Sequence, residues 1–154
     1  YVHVLGDDVH RPSVGERTLY DPCVAIEYEW RGAFDNREVS ALHAEGFEHE
    51  LTNDDWRVQV ERHSLGWVCA RDAGALVGFV NVPWDGETHA FIMDALVTAE
   101  SRRAGIGREL VAVAEREARA AGCRWLHVDF EGHLRPFYFD ACGFTPTNGG
   151  LLAL

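Results

Sequence analysis

The chain has 154 residues, of which 47% are hydrophobic, and its formal net charge at pH 7 is −11. This length and apolar content suit one folded domain and exclude a chain that is disordered throughout. The acidic balance argues against nucleic acid as a partner, because such binding depends on neutralising phosphates. No apolar run approaches the roughly 20 residues needed to cross a membrane. We therefore expect no membrane association and a cytoplasmic location.

The arginines, cysteines and histidines lead to further expectations. All 14 basic residues are arginine, which we interpret as the codon bias of a GC-rich genome and hence a bacterial origin. No C-x-x-C pair occurs, and the histidines show no helical pair at metal-ligand spacing with an acidic partner. We therefore expect no metal site and no disulfides. The expected free thiols are those of Cys23, Cys69, Cys123 and Cys142.

The pattern of apolar and turn residues predicts one α+β domain behind an N-terminal arm. Residues 1–21 mix Gly, Pro, Asp and His with short apolar runs and predict the arm, so the domain covers 22–154. The elements predicted within it are, in chain order, a strand over 25–30, a helix after Asp35, a helix ending near Ser64, hairpin strands over 66–70 and 76–82, a strand over 88–97, a helix over 106–121, a strand from Trp125 and a short helix through Tyr138. This order indicates a mixed, mostly antiparallel sheet flanked by helices.

Local signals set the predicted helix boundaries. Asp35 with Glu38 has the pattern of a capping box before the first helix, and Thr52 with Asp55 repeats that pattern before the second. The long helix is amphipathic because its apolar residues fall on one stripe. That stripe consists of Ile106, Leu110, Val113, Ala114, Ala118 and Ala121.

A turn rich in arginine and glycine lies between the strand that ends at Val97 and the long helix. Gly105 and Gly107 let the backbone come close to a ligand. The N–H groups of the first helical turn and the helix dipole favour a phosphate there. A dinucleotide fingerprint would need a third glycine where Leu110 stands, and the Gly-Lys-Ser/Thr ending of a P-loop is absent. The turn therefore predicts a different phosphate ligand.

The pattern Arg102-x-x-Gly105-x-Gly107 resembles the acyl-CoA pyrophosphate loop of the GNAT acetyltransferase superfamily, which is Arg/Gln-x-x-Gly-x-Gly/Ala. Upstream, residues 96–100 stand where that family has a strand ending in Val-x-Pro-x, although Ala99 replaces the proline. The resemblance implies the family's α+β fold for the chain from about residue 25 onward.

Segments after the long helix extend the resemblance. The strand 125–130, Phe137-Tyr138 and Gly143-Phe144 are similar to the family's late strand, short helix and closing motif. The segments 80–86 and 125–130 also resemble uncharacterised actinobacterial members of the family. That similarity names no substrate.

The resemblance implies an N-acetyltransferase that uses acetyl-CoA and moves the acetyl group directly to a primary amine of a small molecule. It also implies that backbone groups of Leu96 and Val97 pair with the pantetheine arm. The residues it assigns to the pyrophosphate are Arg102, Arg103, Ala104, Gly105, Ile106, Gly107 and Arg108. Two alternatives remain, namely acylation of a protein or peptide amine, and a non-catalytic domain that binds or senses CoA.

Tyr138 and Asp94 are the catalytic candidates that the resemblance implies, as general acid and general base respectively. Four residues separate Tyr138 from Gly143, where the family has three. A helix bulge would absorb the extra residue and keep Tyr138 aimed at the thiolate; otherwise the hydroxyl turns away and Phe139 takes its place. Asp94 also has a plain alternative as a structural hydrogen-bonding residue.

Other polar groups have both a functional and a structural interpretation. His127 and Asp129 are expected on one face of the late strand, near the acceptor or simply at a splayed sheet. An acidic group at the end of the first helix either attracts a cationic acceptor or is a solvated surface; it comprises Glu45, Glu48 and Glu50, with His49 beside them. The tryptophans Trp67 and Trp84 are expected to be core or interface residues, with a substrate platform as the alternative. The apolar residues 151–154 are a candidate for joining a partner's sheet in a homodimer.

Overall fold

A computed structural model describes residues 25–154. The regular elements are β1 (Glu27–Trp30), α1 (Asn36–Phe47), α2 (Trp56–His63), β2 (Ser64–Asp72), β3 (Ala75–Pro83), β4 (His89–Val97), α3 (Ile106–Ala120) and β5 (Trp125–Val128). Short 3-10 turns cover Ala99–Ser101 and Gly132–Leu134, and a π-helix covers Pro136–Ala141. None of the helices in 25–154 has the length and apolar character that crossing a membrane requires. The predicted arm at 1–21 and Cys23 lie outside the described residues.

The strands form one sheet in the order β1-β2-β3-β4-β5. Neighbours from β1 to β4 are antiparallel. Short connections join β2 to β3 and β3 to β4, whereas α1 and α2 lie between β1 and β2. β5 runs parallel to β4 because α3 carries the chain back across the sheet. This arrangement confirms the predicted α+β fold with a mixed, mostly antiparallel sheet.

The predicted cap of the first helix is confirmed, whereas that of the second lies three residues later than its pattern indicated. The Asp35 carboxylate accepts a hydrogen bond from the Arg37 N–H, and the Glu38 carboxylate accepts one from the Asp35 N–H. α2 begins after Asp55, whose carboxylate accepts from the Val58 N–H at 3.2 Å. Thr52 instead donates to the Asp54 side chain and caps no helix.

Helices cover both faces of the sheet. α3 lies on one face, where its apolar stripe packs against Val68, Val80 and Ile92. α1 and α2 lie on the other, over Phe79 and Leu96.

Ala121 is exposed because α3 ends one residue before it. Trp67 is buried on the face that α1 and α2 cover. Trp84 is partly buried at the edge of the core beneath α3. Both positions are those expected of core residues. The thiols of the three described cysteines are free.

β4 carries an irregularity that shapes the molecule. The pairing of β3 with β4 shifts by one residue between Phe79 and Asn81, and Asp94 has a positive φ of 50°. β5 pairs with β4 only from His89 to Ile92. Beyond Ile92 the two strands separate, so the β5-facing backbone edge of β4 has no strand partner over residues 93–97 within the part of the chain that the structure describes.

The segment after β5 closes this gap on one side. β5 ends at Val128, so Asp129 lies beyond the strand and the predicted strand face shared with His127 does not form. The predicted short helix is a 3-10 turn followed by the six-residue π-helix Pro136–Ala141. Residues 142–154 have no regular structure, and Leu151, Leu152 and Leu154 are exposed.

Candidate active site

A cleft of about 680 Å³ opens where β4 and β5 separate. One wall is the carboxyl half of β4, the second is the N-terminus of α3, and the third is the π-helix. Its lining residues are Gly46, Ala95, Leu96, Val97, Ala99, Ser101, Arg102, Arg103, Gly105, Ile106, Gly107, Arg108, Leu110, Leu134, Phe137, Tyr138 and Ala141. The interior is largely apolar and the arginines stand at one end. Such a cleft suits an extended ligand with an apolar arm and an anionic end.

The N-terminus of α3 forms the anion-binding end of the cleft. Gly105 is the N-cap residue and has φ of 83°, a left-handed conformation that strongly favours glycine. A Cβ on Gly107 would lie 3.3 Å from the Phe137 ring, so glycine also permits close packing of α3 against the π-helix. The first N–H groups of a helix have no acceptor within the helix. They are therefore available to a phosphate at this end.

Arginine side chains surround that helix end. Arg102 is half-buried and its Nε donates to the Val97 carbonyl at 3.3 Å, which ties the loop to the end of β4. Arg103 and Arg108 are exposed at the rim. Eight of the nine residues predicted to bind the cofactor line the cleft, and Ala104 lies in the loop without lining it.

The carboxyl half of β4 offers its backbone to the cleft. Leu96 and Val97 pair with Phe79 and Gly78 of β3 on one side. On the other side they line the cleft, where β5 has already turned away. An extended ligand arm lying in the cleft would meet an unpaired strand edge. Such an edge can form backbone hydrogen bonds with an amide of a ligand that lies along it.

Tyr138 lies in the wall of the cleft and is completely buried. Its hydroxyl has no hydrogen-bond partner among the described residues. Burial raises the pKa of Tyr138 far above its ordinary value, so the phenol is protonated at neutral pH. The π-helix takes up one residue more than an α-helical turn would, and Tyr138, not Phe139, lines the cleft. A buried hydroxyl without a partner is costly unless a ligand supplies one.

Asp94 stands beside the cleft but does not line it. Its side chain is 14% exposed and lies 3.7 Å from Nε2 of His43, on the face of the sheet that α1 covers. The Asn81 amide hydrogen-bonds it, and burial raises the pKa of Asp94 while His43 partly offsets that rise. Its left-handed backbone is a strained conformation of the kind that clusters at functional sites.

Some polar groups singled out in the sequence are engaged elsewhere. Glu45 accepts a hydrogen bond from the Ala99 N–H at 2.6 Å and so fastens α1 to the loop after β4. Glu48 and Glu50 remain exposed. His127 stacks on Phe91 of β4. These contacts give Glu45 and His127 structural roles.

The sequence patterns did not single out His43, Asn81 or Ser64 as site residues. The Ser64 hydroxyl donates to Asn81 at 2.5 Å, and Asn81 in turn holds Asp94. Asn81 is 1% exposed. Asn81 interrupts the otherwise apolar sequence of β3, and this was the signal by which it could have been found. The β4 bulge that turns Asp94 toward these residues left no mark in the sequence.

Comparison with known proteins identifies the family. The sequence profile described as Acetyltransferase (GNAT) family matches residues 26–144. The chain belongs to this family. The match spans the sheet, the cleft and the π-helix. No curated protein matches the chain in sequence.

Solved structures share the GNAT fold over most of the chain. An acetyltransferase from Trypanosoma brucei is 19% identical with a TM-score of 0.71, covering 84% of this chain and 100% of its own. Glucosamine-6-phosphate N-acetyltransferase from Arabidopsis thaliana is 14% identical with a TM-score of 0.65, covering 83% and 98%. AAC(6')-Iy, in complex with the bisubstrate analog CoA-S-monomethyl-acetylneamine, is 17% identical with a TM-score of 0.65, covering 84% and 97%.

Proposed function

We propose that this chain is an acetyl-CoA-dependent N-acetyltransferase that moves an acetyl group directly to the primary amine of a small molecule. One observation carries the proposal: among the described residues, the same cleft is lined by a strand edge without a strand partner, a glycine-capped helix N-terminus and a buried tyrosine whose hydroxyl has no hydrogen-bond partner. A simple phosphate site would need only the helix end. The combination fits a long cofactor with an anionic end and a reactive end.

The residues present fit acetyl-CoA. Arg102, Arg103 and Arg108 with the first N–H groups of α3 would hold the pyrophosphate. Leu96 and Val97 would lie along the pantetheine arm at the edge of β4 that β5 leaves open, where the Val97 carbonyl already accepts a hydrogen bond from Arg102. The orphaned hydroxyl of Tyr138 would gain its missing partner at the sulfur. Bound acetyl-CoA would supply the acyl group as an activated thioester.

Asp94 and Tyr138 would handle the two protons of the reaction. An alkylamine arrives as an ammonium, and Asp94 takes one proton from its nitrogen. The raised pKa of Asp94 brings its basicity closer to neutral pH and so makes it a better base. Tyr138 would donate its hydroxyl proton to the sulfur as the C–N bond forms and the C–S bond breaks, and the second proton lost from the nitrogen would restore the phenol. Its raised pKa keeps that proton in place until the thiolate develops.

The choice of a small amine rests on two fold relatives and on local charge. One relative is named for glucosamine 6-phosphate, and the other was solved with an analog of CoA joined to acetylneamine. Exposed Glu48 and Glu50 lie at the end of α1, on the face of the sheet where Asp94 stands. Their charge would attract a cationic amine. We also propose that the protein is bacterial, lies in the cytoplasm and forms a homodimer.

The test is release of free CoA thiol from acetyl-CoA in the presence of spermidine, glucosamine 6-phosphate or neamine. The proposal predicts amine-dependent thiol release and an acetylated amine detected by mass spectrometry. Acetylation of a lysine peptide in place of all three amines would favour the protein-directed alternative. Tight CoA binding without transfer to amines or peptides would favour a sensing domain.

A further inference from the structure

A chain of polar contacts runs from Asp94 to the surface. Nε2 of His43 lies 3.7 Å from Oδ1 of Asp94. Nδ1 of His43 lies 2.7 Å from Nε2 of His49. Nδ1 of His49 lies 2.6 Å from the Glu50 carbonyl oxygen. Asp94 is 14% exposed, whereas His49 is exposed to solvent.

The carbonyl at the end of this chain determines the protonation of both rings. A carbonyl can only accept, so Nδ1 of His49 carries the proton that it donates to Glu50. Nε2 of neutral His49 is then an acceptor, and Nδ1 of His43 must carry the proton between the rings. Nε2 of His43 is therefore left unprotonated and faces Asp94. The order of donors and acceptors permits a proton to move outward from the carboxyl group.

The backbone and the neighbouring rings hold the two histidines in place. Glu48 has a left-handed conformation with φ of 53°, and the following His49 N–H donates to the Ala44 carbonyl at 3.2 Å. This turn folds His49 back over the last turn of α1. The His43 ring packs 4.4 Å from the Phe47 ring and 5.0 Å from the Trp56 ring, measured between centroids. The pair is thus built into the end of α1.

The charged groups around His43 come from three elements. Asp94 of β4 faces it from the sheet, His49 from the turn after α1, and Asp54 from the loop before α2. Burial lowers the pKa of His43, and the two carboxylates oppose that change. Burial raises the pKa of Asp94. The two shifts bring the proton affinities of Asp94 and His43 closer together, as a proton transfer between them requires.

We propose that His43 and His49 form a proton relay that connects Asp94 with solvent. The proposal rests on the proposed function, because the proton it carries is the one that Asp94 takes from the amine. The proton on Asp94 passes to Nε2 of His43 while the Nδ1 proton of His43 passes to Nε2 of His49. His49 then gives a ring proton to water, and exchange with solvent restores the starting tautomers. One proton leaves for each amide formed.

The 3.7 Å separation of Asp94 and His43 is longer than a hydrogen bond. Catalytic hydrogen bonds commonly tighten when ligands bind. The relay therefore needs a closing movement of about 1 Å at this contact.

A measurement without substrate tests the relay directly. In histidine ¹⁵N NMR spectra at about pH 8, above the ordinary histidine pKa, His43 and His49 are expected as Nδ1–H tautomers. Exposed His63 on α2 supplies the reference signal of an unconstrained ring. Replacing Asp94 by asparagine should lower the pKa of His43 further. Nε2–H tautomers at either relay histidine would overturn the proposal.

Kinetics with the best amine of the panel provide the second test. His49→Ala should lower kcat about tenfold, a fraction of what a general base contributes, with an unchanged KM for acetyl-CoA. Added imidazole should restore much of that loss, because it can accept a proton from His43 in place of the missing ring. His63→Ala should match the wild type and show no response to imidazole.

The outcomes separate the relay from the proposed function. An active wild type whose His49→Ala variant keeps the full rate, or whose loss imidazole does not relieve, contradicts the relay alone. A wild type that acetylates no amine or peptide contradicts the proposed function, and the tautomers then decide whether the relay is assembled.

Discussion

Gly105→Val and Gly74→Val are a matched pair that separates backbone strain from ligand contact. Both glycines have positive φ, 83° and 87°, and a Cβ built on either meets no atom within 4 Å. Both variants therefore place a β-branched residue in the left-handed region without a clash inside the protein. Gly105 lines the cleft, whereas Gly74 lies in the turn between β2 and β3.

The expected magnitudes follow from these positions. The left-handed conformation costs a non-glycine residue about 1–2 kcal/mol. The free energy of unfolding of a typical protein is about 5–15 kcal/mol, so both variants should still fold. The empty space around Gly105 is the space a pyrophosphate would occupy, so the valine displaces it from the N–H groups of α3. Losing one hydrogen bond to a charged group costs about 1.5–3 kcal/mol. That cost corresponds to a rise in Kd for CoA of about tenfold to hundredfold.

Isothermal titration calorimetry with CoA, together with thermal denaturation of both variants, measures the two effects separately. We expect similar losses of Tm in the two variants and a weakened affinity for CoA only in Gly105→Val. Equal CoA affinities of the two folded variants would refute the pyrophosphate assignment to the α3 N-terminus.

Three further predictions concern the reacting groups and the charges around them. Tyr138→Phe should lower kcat by about 10²-fold and leave CoA affinity nearly intact, since only the proton donor is lost; steady-state kinetics at the wild-type rate would make Tyr138 structural. Because burial raises the pKa of Asp94, its carboxyl group stabilises the fold below the ordinary carboxyl pKa and loses that contribution as pH rises through the raised value. Asp94→Asn should therefore melt above the wild type at pH 7, with a smaller difference near pH 4 and with reduced activity; a lower Tm at pH 7 contradicts the burial argument. For a cationic amine, kcat/KM should fall as salt rises because Glu48 and Glu50 attract it, and a flat profile would mean that they are solvated surface.

Much of the fold could be predicted because its signals are local. The capping box of Asp35 and Glu38 starts α1 where the sequence indicated. The glycine pattern at 105 and 107 marks the start of α3, and the apolar stripe of that helix packs on the sheet as predicted. Each of these features depends on residues close together in the chain. The arginine-lined end of the cleft could therefore be predicted from sequence patterns.

The surroundings of Asp94 could not be predicted in the same way. The bulge at Asp94 depends on pairing with β3, and it turns the carboxylate toward His43 and Asn81. The contact of His43 with His49 depends on a left-handed Glu48, a conformation that glycine or asparagine would have signalled and glutamate does not. The bulge arises from a tertiary contact, and the turn at Glu48 uses a residue type that does not signal it, so residue spacing carries no trace of either.

A structure of the protein bound to CoA tests the central claim most directly. The account predicts the pyrophosphate against the N–H groups of Gly105 to Arg108, the pantetheine arm along Leu96 and Val97, and the sulfur within hydrogen-bonding distance of the Tyr138 hydroxyl. CoA bound outside the cleft, or its sulfur turned away from Tyr138, would contradict the account.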